Sequence, residues 1–181
     1  MAGHSKWSQI KRKKAITDGA RSKVFSKYAR LIAVESKRAK GDVNDHQLRT
    51  IVERAKAENM PKEAIERAVS KGNSADTALL ESIVYEMYGP GGVAILIETL
   101  TDNRNRTVAE IKHLATKLGY ELAAPGSALW AFNHTIHGGY VPTTFTTIHE
   151  MDVPLLTTLI EALTDHEDVQ EVYTNALDAL V

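Results

Sequence analysis

The sequence predicts an α+β protein, in which a three-helix domain with a basic arm precedes a ferredoxin-like sandwich of an antiparallel sheet and two helices. Two observations predict this fold. Apolar residues recur at helical spacing as far as Gly72, whereas strand-like apolar runs alternate with helical segments from Ser82 onwards. We therefore expect domains at residues 1–75 and 80–175, and a tail at 176–181.

Charge is distributed very unevenly along the chain. The 181 residues include 22 Lys and Arg and 23 Asp and Glu, but the first 40 residues alone contain 12 basic and two acidic residues. Residues 41–181 therefore contain 10 basic and 21 acidic residues, a net charge of −11. A basic segment joined to an acidic body is typical of a protein that binds a polyanion.

Three helices are predicted in the first domain. Gly41 suits the end of the first helix because glycine tolerates the left-handed conformation. Asn44 or Asp45 is the expected cap of the second, and Pro61 suits the first turn of the third. The predicted helices span residues 17–41, 45–59 and 60–72, and a polar linker follows to about residue 79.

The second domain is predicted to have the element order ββαββαβ. Gly89-Pro90-Gly91-Gly92 lies between two strand-like runs and predicts a hairpin turn; the Gly-Lys-Ser/Thr of a phosphate-binding loop is absent. Asp102 or Asn103 is the expected cap of the first helix, and the residues after 175 are expected to fray or form a short helix. The predicted strands span residues 82–88, 93–100, 129–133, 140–149 and 169–173, and the helices span 107–117 and 152–163.

Two basic segments are candidates for phosphate binding. Residues 1–14 lack helical periodicity, so we expect a mobile arm, in which Trp7 either anchors the arm to the body or stacks on bases. Residues 102–107 lie between a strand and a helix N-terminus, where unpaired N–H groups favour anions; the alternative is a capped turn whose arginines pair with carboxylates. The candidate nucleic-acid-binding residues are Lys6, Trp7, Lys11, Arg12, Lys13, Lys14, Arg21, Lys23, Lys27, Arg30, Asn103, Arg104 and Arg106.

The sequence contains no evident catalytic or metal-binding constellation. Zero cysteine excludes thiolate chemistry, and His134 and His137 lack a third ligand. Asp165, Glu167 and Asp168 lack the spacing of a calcium-binding loop. We predict no enzyme activity, no metal, no cofactor and no small-molecule substrate. Without a long apolar run or a signal peptide, the sequence predicts a cytoplasmic protein that does not enter membranes.

Several collinear segments of the chain form recognisable motifs: MAGHSKW, Asn59–Lys62, Tyr88–Val93, Leu100–Thr107, Gly126-Ser127 before Leu129-Trp130, and Asp168–Asn175. Together they resemble the YebC/PmpR family, which includes the mitochondrial translational activator of cytochrome oxidase. The resemblance covers residues 1–133 and 140–175. Family members typically carry a third α/β domain after the strand at 129–132, where this chain has only the turn at 134–139, so the chain resembles a shortened form.

The resemblance implies a non-enzymatic regulator of gene expression. Some members are regarded as DNA-binding transcriptional regulators, and others act on ribosomes that stall at proline-rich sequences. Because no recognition helix with base-reading side chains is evident, we favour ribosomal RNA or tRNA, and the ribosome, over DNA as the partner. A DNA-binding transcriptional regulator and an adaptor whose acidic α/β domain docks a basic protein remain the alternatives.

Overall fold

The structure is a computed structural model that describes residues 18–73, 80–135 and 138–177. The described residues divide into two compact units between residues 80 and 81. The predicted arm, the predicted linker after Asn73 and the last four residues lie outside the described residues. Among the described helices, none is both long and apolar enough to cross a membrane.

The helical unit confirms the three predicted helices. Asp45 caps the second helix, because its carboxylate accepts hydrogen bonds from the backbone N–H groups of Gln47 and Leu48. Pro61 lies at the N-cap position, just before the first residue of the third helix, and not within its first turn as predicted. The helices are α1 at Asp18–Arg38, α2 at His46–Ala57 and α3 at Lys62–Gly72.

The core of the helical unit depends on a close approach between α1 and α3. A Cβ atom at Gly72 would lie 2.3 Å from the carbonyl oxygen of Ala33, so only glycine fits this contact without movement. The Ser36 hydroxyl donates a hydrogen bond to the Val69 carbonyl at 2.9 Å across the same contact. The buried apolar residues around it are Ile32, Leu48, Ala55, Met60, Ile65 and Ala68.

The α+β unit is built on a three-stranded antiparallel sheet with the strand order β1-β2-β6. The two helices pack on one face through residues such as Ile111 and Leu159. Phe132 and two buried alanines cover the other face. The elements are β1 at Glu81–Tyr88, β2 at Ala94–Thr101, α4 at Arg104–Lys117, β3 at Phe132–His134, β4 at Tyr140–Pro142, β5 at Thr146–Thr147, α5 at Val153–Thr164, β6 at Val169–Thr174 and β7 at Ala176–Leu177.

The α+β prediction is confirmed, but several predicted elements are wrong in extent. Residues 129–131 form a 3-10 turn, and the predicted strand 140–149 is two short strands. These strands stay outside the main sheet, since β3 pairs with β4, and β5 pairs in parallel with β7. Ala176 and Leu177 thus form a strand where a frayed or helical end was predicted. Helix α4 begins three residues earlier than predicted, at Arg104.

Candidate nucleic-acid interface

Helix α1 carries a row of basic side chains on the side opposite its core contacts. Phe25, Tyr28 and Ile32 pack into the core of the helical unit. A basic ridge consisting of Lys23, Lys27, Arg30 and Lys37 follows the spacing i, i+4, i+7 and i+14, which places it on the other side of the helix. It extends about 21 Å along the helix axis.

The ridge gives the helical unit a positive surface of its own. Its four side chains are exposed or half-buried, and each has at least one contact within the chain. Arg21 is exposed near the start of the same helix. Residues 18–73 contain 13 basic and eight acidic residues, a net charge of +5. The described part of this unit therefore carries positive charge even without the arm.

The second predicted segment, Asp102–Thr107, which we name the arginine loop, joins β2 to α4. Asn103 caps α4, since its side-chain oxygen accepts a hydrogen bond from the Arg106 N–H at 3.1 Å. The Thr101 hydroxyl oxygen accepts one from the Asn103 N–H at 2.9 Å. These bonds fix the loop and the first turn of the helix, so Asn103 is the cap that the sequence predicted for α4.

Asp168, the residue just before β6, binds the arginine loop, although it is 62 residues away from Arg106 in the sequence. Only 5% of its side chain is exposed. Its carboxylate accepts hydrogen bonds from the Arg106 guanidinium at 2.9 Å and from the Thr107 hydroxyl at 2.7 Å. The bond to Asp168 is the main reason that the pKa of Arg106 is raised above its ordinary value.

The two arginines of the loop therefore lie in different environments. Arg106 also pairs with Asp102 at 3.0 Å, so its guanidinium group already forms ion pairs with two carboxylates. The Arg104 side chain is 65% exposed, and the Glu81 carboxylate lies 3.9 Å away, a distance at which an exposed pair is weak. Of these two side chains, Arg104 is the better placed to meet a phosphate at the N-terminus of α4.

His166, Glu110 and Asp168 place potential metal-ligand atoms within 4.8 Å of one another. The His166 Nδ1 accepts a hydrogen bond from the Asp168 N–H at 3.1 Å, so its Nε2 carries the proton and donates to Glu110, also at 3.1 Å. Asp168 already binds Arg106 and Thr107. The cluster is explained by these hydrogen bonds, and no metal is needed to account for it.

The opposite end of the sheet, at the turn between β1 and β2, is apolar on its surface. We name it the turn end, and its exposed large apolar side chains are Tyr88, Leu129, Trp130, Phe145, Met151 and Leu177. The turn end and the arginine loop lie at opposite ends of the eight-residue strands β1 and β2, about 25 Å apart.

Comparisons with known proteins match both units. Residues 5–75 match the model described as TACO1/YebC protein N-terminal domain, and residues 80–138 match TACO1/YebC second and third domain. A probable transcriptional regulatory protein of Chloroherpeton thalassium is 42% identical over 180 residues, which are 98% of this chain and 72% of that protein. The chain belongs to the TACO1/YebC family.

Two further comparisons find similar proteins. A Synechococcus protein, also called a probable transcriptional regulatory protein, is 50% identical over 135 residues, which are 73% of this chain and 54% of that protein. A crystal structure of a conserved hypothetical protein from Aquifex aeolicus has a TM-score of 0.80 and 27% sequence identity. It covers 91% of this chain and 93% of that one.

The segment matched to the TACO1/YebC second and third domain also contains residues that sequence reasoning missed. Glu86 is buried, and its carboxylate accepts three backbone hydrogen bonds, from Gly126 at 2.6 Å and from Ala128 and Leu129 at 2.7 Å. One signal in the sequence indicated a buried role for Glu86: it is a carboxylate within a predicted strand, next to the core residue Met87. Its partners, 40 to 43 residues away, could not be identified from spacing.

Of the predicted site residues, the structure describes those from Arg21 onwards. Lys23, Lys27 and Arg30 lie together on α1. Asn103, Arg104 and Arg106 lie together at the start of α4. Lys6, Trp7, Lys11, Arg12, Lys13 and Lys14 lie outside the described residues. The binding role of all these residues stays a prediction.

Proposed function

We propose that this chain is a nucleic-acid-binding regulator of gene expression that acts in translation, with ribosomal RNA or tRNA on the ribosome as its target. The observation that carries the proposal is the basic ridge on α1. A row of lysine and arginine side chains can bind a phosphate backbone, because the contacts release the counterions that are condensed on it.

The proposed contacts divide into two groups. The arm residues and the ridge neutralise phosphates, and Trp7 stacks on a base. Arg104 makes a further phosphate contact beside the N-terminus of α4, while Asn103 and Arg106 hold the loop in shape. Contacts of this kind carry no sequence information, which suits a target recognised by its shape.

The same basic surface supports a second candidate, a DNA-binding transcriptional regulator. The observation that favours it is the name probable transcriptional regulatory protein, which the relatives from Chloroherpeton and Synechococcus carry. Against it, the sequence offers no evident recognition helix that would read bases in the major groove. A third reading, an adaptor with an acidic docking surface, requires no nucleic acid.

Co-sedimentation with ribosomes, beside binding to duplex DNA, tests the proposal. The full chain should sediment with ribosomes at low salt and less at moderate salt, and the variant without residues 1–14 should bind more weakly. Sequence-specific, salt-resistant binding to DNA without ribosome sedimentation would establish the transcriptional candidate instead. Capture of a defined basic protein with no nucleic-acid binding at all would establish the adaptor.

An in vitro translation assay tests the step in translation that the resemblance implies. We expect the full chain to increase the yield of a reporter with consecutive prolines and to leave a proline-free reporter unchanged. A variant with Lys23→Gln, Lys27→Gln and Arg30→Gln should lose this effect. An equal effect on both reporters would contradict a role at proline-rich sequences.

A further inference from the structure

The turn end of the α+β unit has the composition of a binding surface. Among the described residues, nine large apolar side chains are exposed, and eight of them lie in this unit. The most exposed are Met151 at 79%, Trp130 at 61% and Phe145 at 58%. Aromatic residues and methionine are enriched where proteins bind each other.

Backbone and side-chain contacts bring Tyr88, Trp130, Phe145 and Leu177 to one end of the sheet. Tyr88 is the last residue of β1, and its hydroxyl lies 3.3 Å from the Trp130 Nε1. The Thr143 N–H donates to the Ala131 carbonyl at 2.8 Å, which places the chain leading to Phe145 beside Trp130. Leu177 then follows, because it pairs with Thr147 in the β5–β7 ladder.

The exposed indole of Trp130 is held in a defined orientation. Its Nε1–H donates to the Ser127 carbonyl at 2.8 Å, and the Tyr88 hydroxyl donates to the same oxygen. Glu86 fixes the backbone on both sides of Ser127 through its bonds to Gly126, Ala128 and Leu129. A preorganised aromatic loses little conformational entropy on binding, which raises the affinity that it can contribute.

Charge decides which kind of partner fits this surface. Residues 72–103 and 118–181 contain no Lys or Arg, and the basic residues between them, Arg104, Arg106, Lys112 and Lys117, all lie on α4. Residues 81–177 contain four basic and 13 acidic residues, a net charge of −9. Glu150 and Asp152 flank Met151. A nucleic acid would be repelled here, whereas a basic segment with an apolar anchor is complementary.

We propose that the turn end binds the chain's own amino-terminal segment, residues 1–17, with Trp7 seated against Trp130. The segment contains five basic and no acidic residues, and it carries Ile10 and Ile16 as well as Trp7. It thus carries a charge opposite to that of the α+β unit, together with apolar side chains that match those of the turn end. Because the segment is part of the same chain, this contact is intramolecular, and its population should not depend on the protein concentration.

This contact places the same basic residues in two alternative interactions. Lys11, Arg12, Lys13 and Lys14 either face the acidic α+β unit or neutralise phosphates. A nucleic acid therefore has to displace the segment from the turn end, a consequence that rests on the function proposed above. The segment then acts as an internal competitor that weakens binding to short or sparse polyanions.

The absence of cysteine makes a direct test possible in the full chain. A nitroxide on Ser8→Cys is the only thiol label, since the sequence contains zero cysteine. We expect it to broaden the NMR signals of the Trp130 indole N–H and the Met151 methyl group at low salt. The broadening should disappear at about 1 M sodium chloride, where the Debye length is about 3 Å.

Matched variants show whether the apolar seat is specific. Trp7→Ser, with the same label, should remove the broadening. Trp130→Ser should reduce it at Met151, and Met151→Ser should reduce it at Trp130. Val43→Ser removes an apolar side chain of the helical unit that is as exposed as Trp130 (61%), and it should leave the broadening unchanged. Broadening that survives Trp7→Ser, Trp130→Ser and Met151→Ser would overturn the proposed seat.

Addition of an oligouridylate RNA separates this inference from the proposed function. Broadening that is present without RNA and reversed by RNA supports both. Broadening that RNA does not reverse supports the docking and contradicts its competition with nucleic acid. A labelled chain with no broadening at Trp130 or Met151 at low salt overturns the docking, whether or not the protein binds RNA.

Discussion

At the scale of single residues, Asp168 joins the last strand of the main sheet to the arginine loop. Its backbone carbonyl accepts a hydrogen bond from the Leu100 N–H at 2.8 Å, and its side chain binds Arg106 and Thr107. One residue therefore fixes the register beside β2 and the start of α4. The position of the arginine loop, which carries the exposed Arg104, therefore depends on the Asp168 carboxylate.

We predict that Asp168→Ala lowers the free energy of unfolding by about 2 kcal/mol, because the buried Thr107 hydroxyl loses its charged acceptor. Urea unfolding at pH 7 measures this change. Glu121→Gln, which neutralises an exposed carboxylate of the same unit, should shift the value by no more than about 0.5 kcal/mol. Equal effects of the two substitutions would show that Asp168 acts only through general charge.

The roles of Asp168 and Glu86 could not be predicted from the sequence, although both residues stand out as acidic groups next to apolar ones. Asp168 and its partner Arg106 are 62 residues apart, and the bonds to Glu86 come from a turn at least 40 residues away. Sequence spacing reports neighbours on one helix or strand. It does not report which turn a folded chain brings against a strand.

At the scale of elements, helices were predictable and the shorter strands were not. Caps such as Asp45 and hairpin signals such as Gly89–Gly92 act within a few residues, so their effects can be read locally. Residues 129–131 look like a strand because they are apolar. The bond from the Leu129 N–H to Glu86 instead holds them as a 3-10 turn, and long-range contacts also interrupt the segment 140–149.

The packing of α1 against α3 gives a prediction in which two effects compete. Intrinsic helix propensity favours alanine over glycine by about 1 kcal/mol. A Cβ at Gly72 would, however, lie 2.3 Å from the Ala33 carbonyl oxygen and 2.8 Å from the Ser36 Cβ. We expect Gly72→Ala to destabilise the protein by about 1–3 kcal/mol, because the two helices must separate.

Thermal unfolding followed by circular dichroism measures the effect of Gly72→Ala. Ser70→Ala, at an exposed position on the same helix, is the matched control and should change the midpoint little. A higher midpoint for Gly72→Ala than for the unmodified protein would mean that propensity outweighs packing, and that the close approach does not hold the unit together.

The cap of α2 predicts a dependence of stability on pH. The pKa of Asp45 is lowered, first by the hydrogen bond from the Leu48 N–H and then by Arg38. Because the folded pKa lies below that of the unfolded chain, about 3.9, the stabilisation is present above that pH and is lost as pH falls through the folded pKa.

We therefore expect Asp45→Asn, which keeps a capping oxygen but cannot ionise, to lower the unfolding temperature at pH 7. The difference from the unmodified protein should shrink as pH falls from about 4 through the lowered pKa of folded Asp45, below which both side chains are neutral. Unfolding scans at pH 7 and at low pH measure it. A difference that stays constant over this range would show that the charge of Asp45 is unimportant.

At the scale of the whole molecule, the charges are sorted by unit. The described helical residues carry a net +5 and residues 81–177 a net −9, although the whole chain is nearly neutral. This separation was predictable from the sequence, since it needs only counting. The placement of Lys23, Lys27 and Arg30 in one row followed from helical spacing, and the structure of α1 agrees with it.

This sorting predicts which lysines control the salt dependence of binding. Replacing Lys23, Lys27 and Arg30 by Gln should reduce the slope of log K against log salt by about 2–3, because each lost phosphate contact removes about 0.7–0.9. Lys112→Gln with Lys117→Gln, on α4 of the acidic unit, should leave the slope unchanged. Fluorescence anisotropy with an oligouridylate RNA measures both; similar slopes for the two variants would refute a ridge-centred interface.

The confinement of basic residues in the acidic unit to α4 has a practical consequence for proteolysis. Trypsin cleaves after lysine and arginine, so after Lys71 it finds only the four sites on this helix, and none from residue 118 to the end. The helical unit offers 13 such sites between residues 18 and 73. Brief digestion should therefore remove the basic part of the chain and leave a fragment that begins at Gly72, a ready source of the acidic unit for separate study.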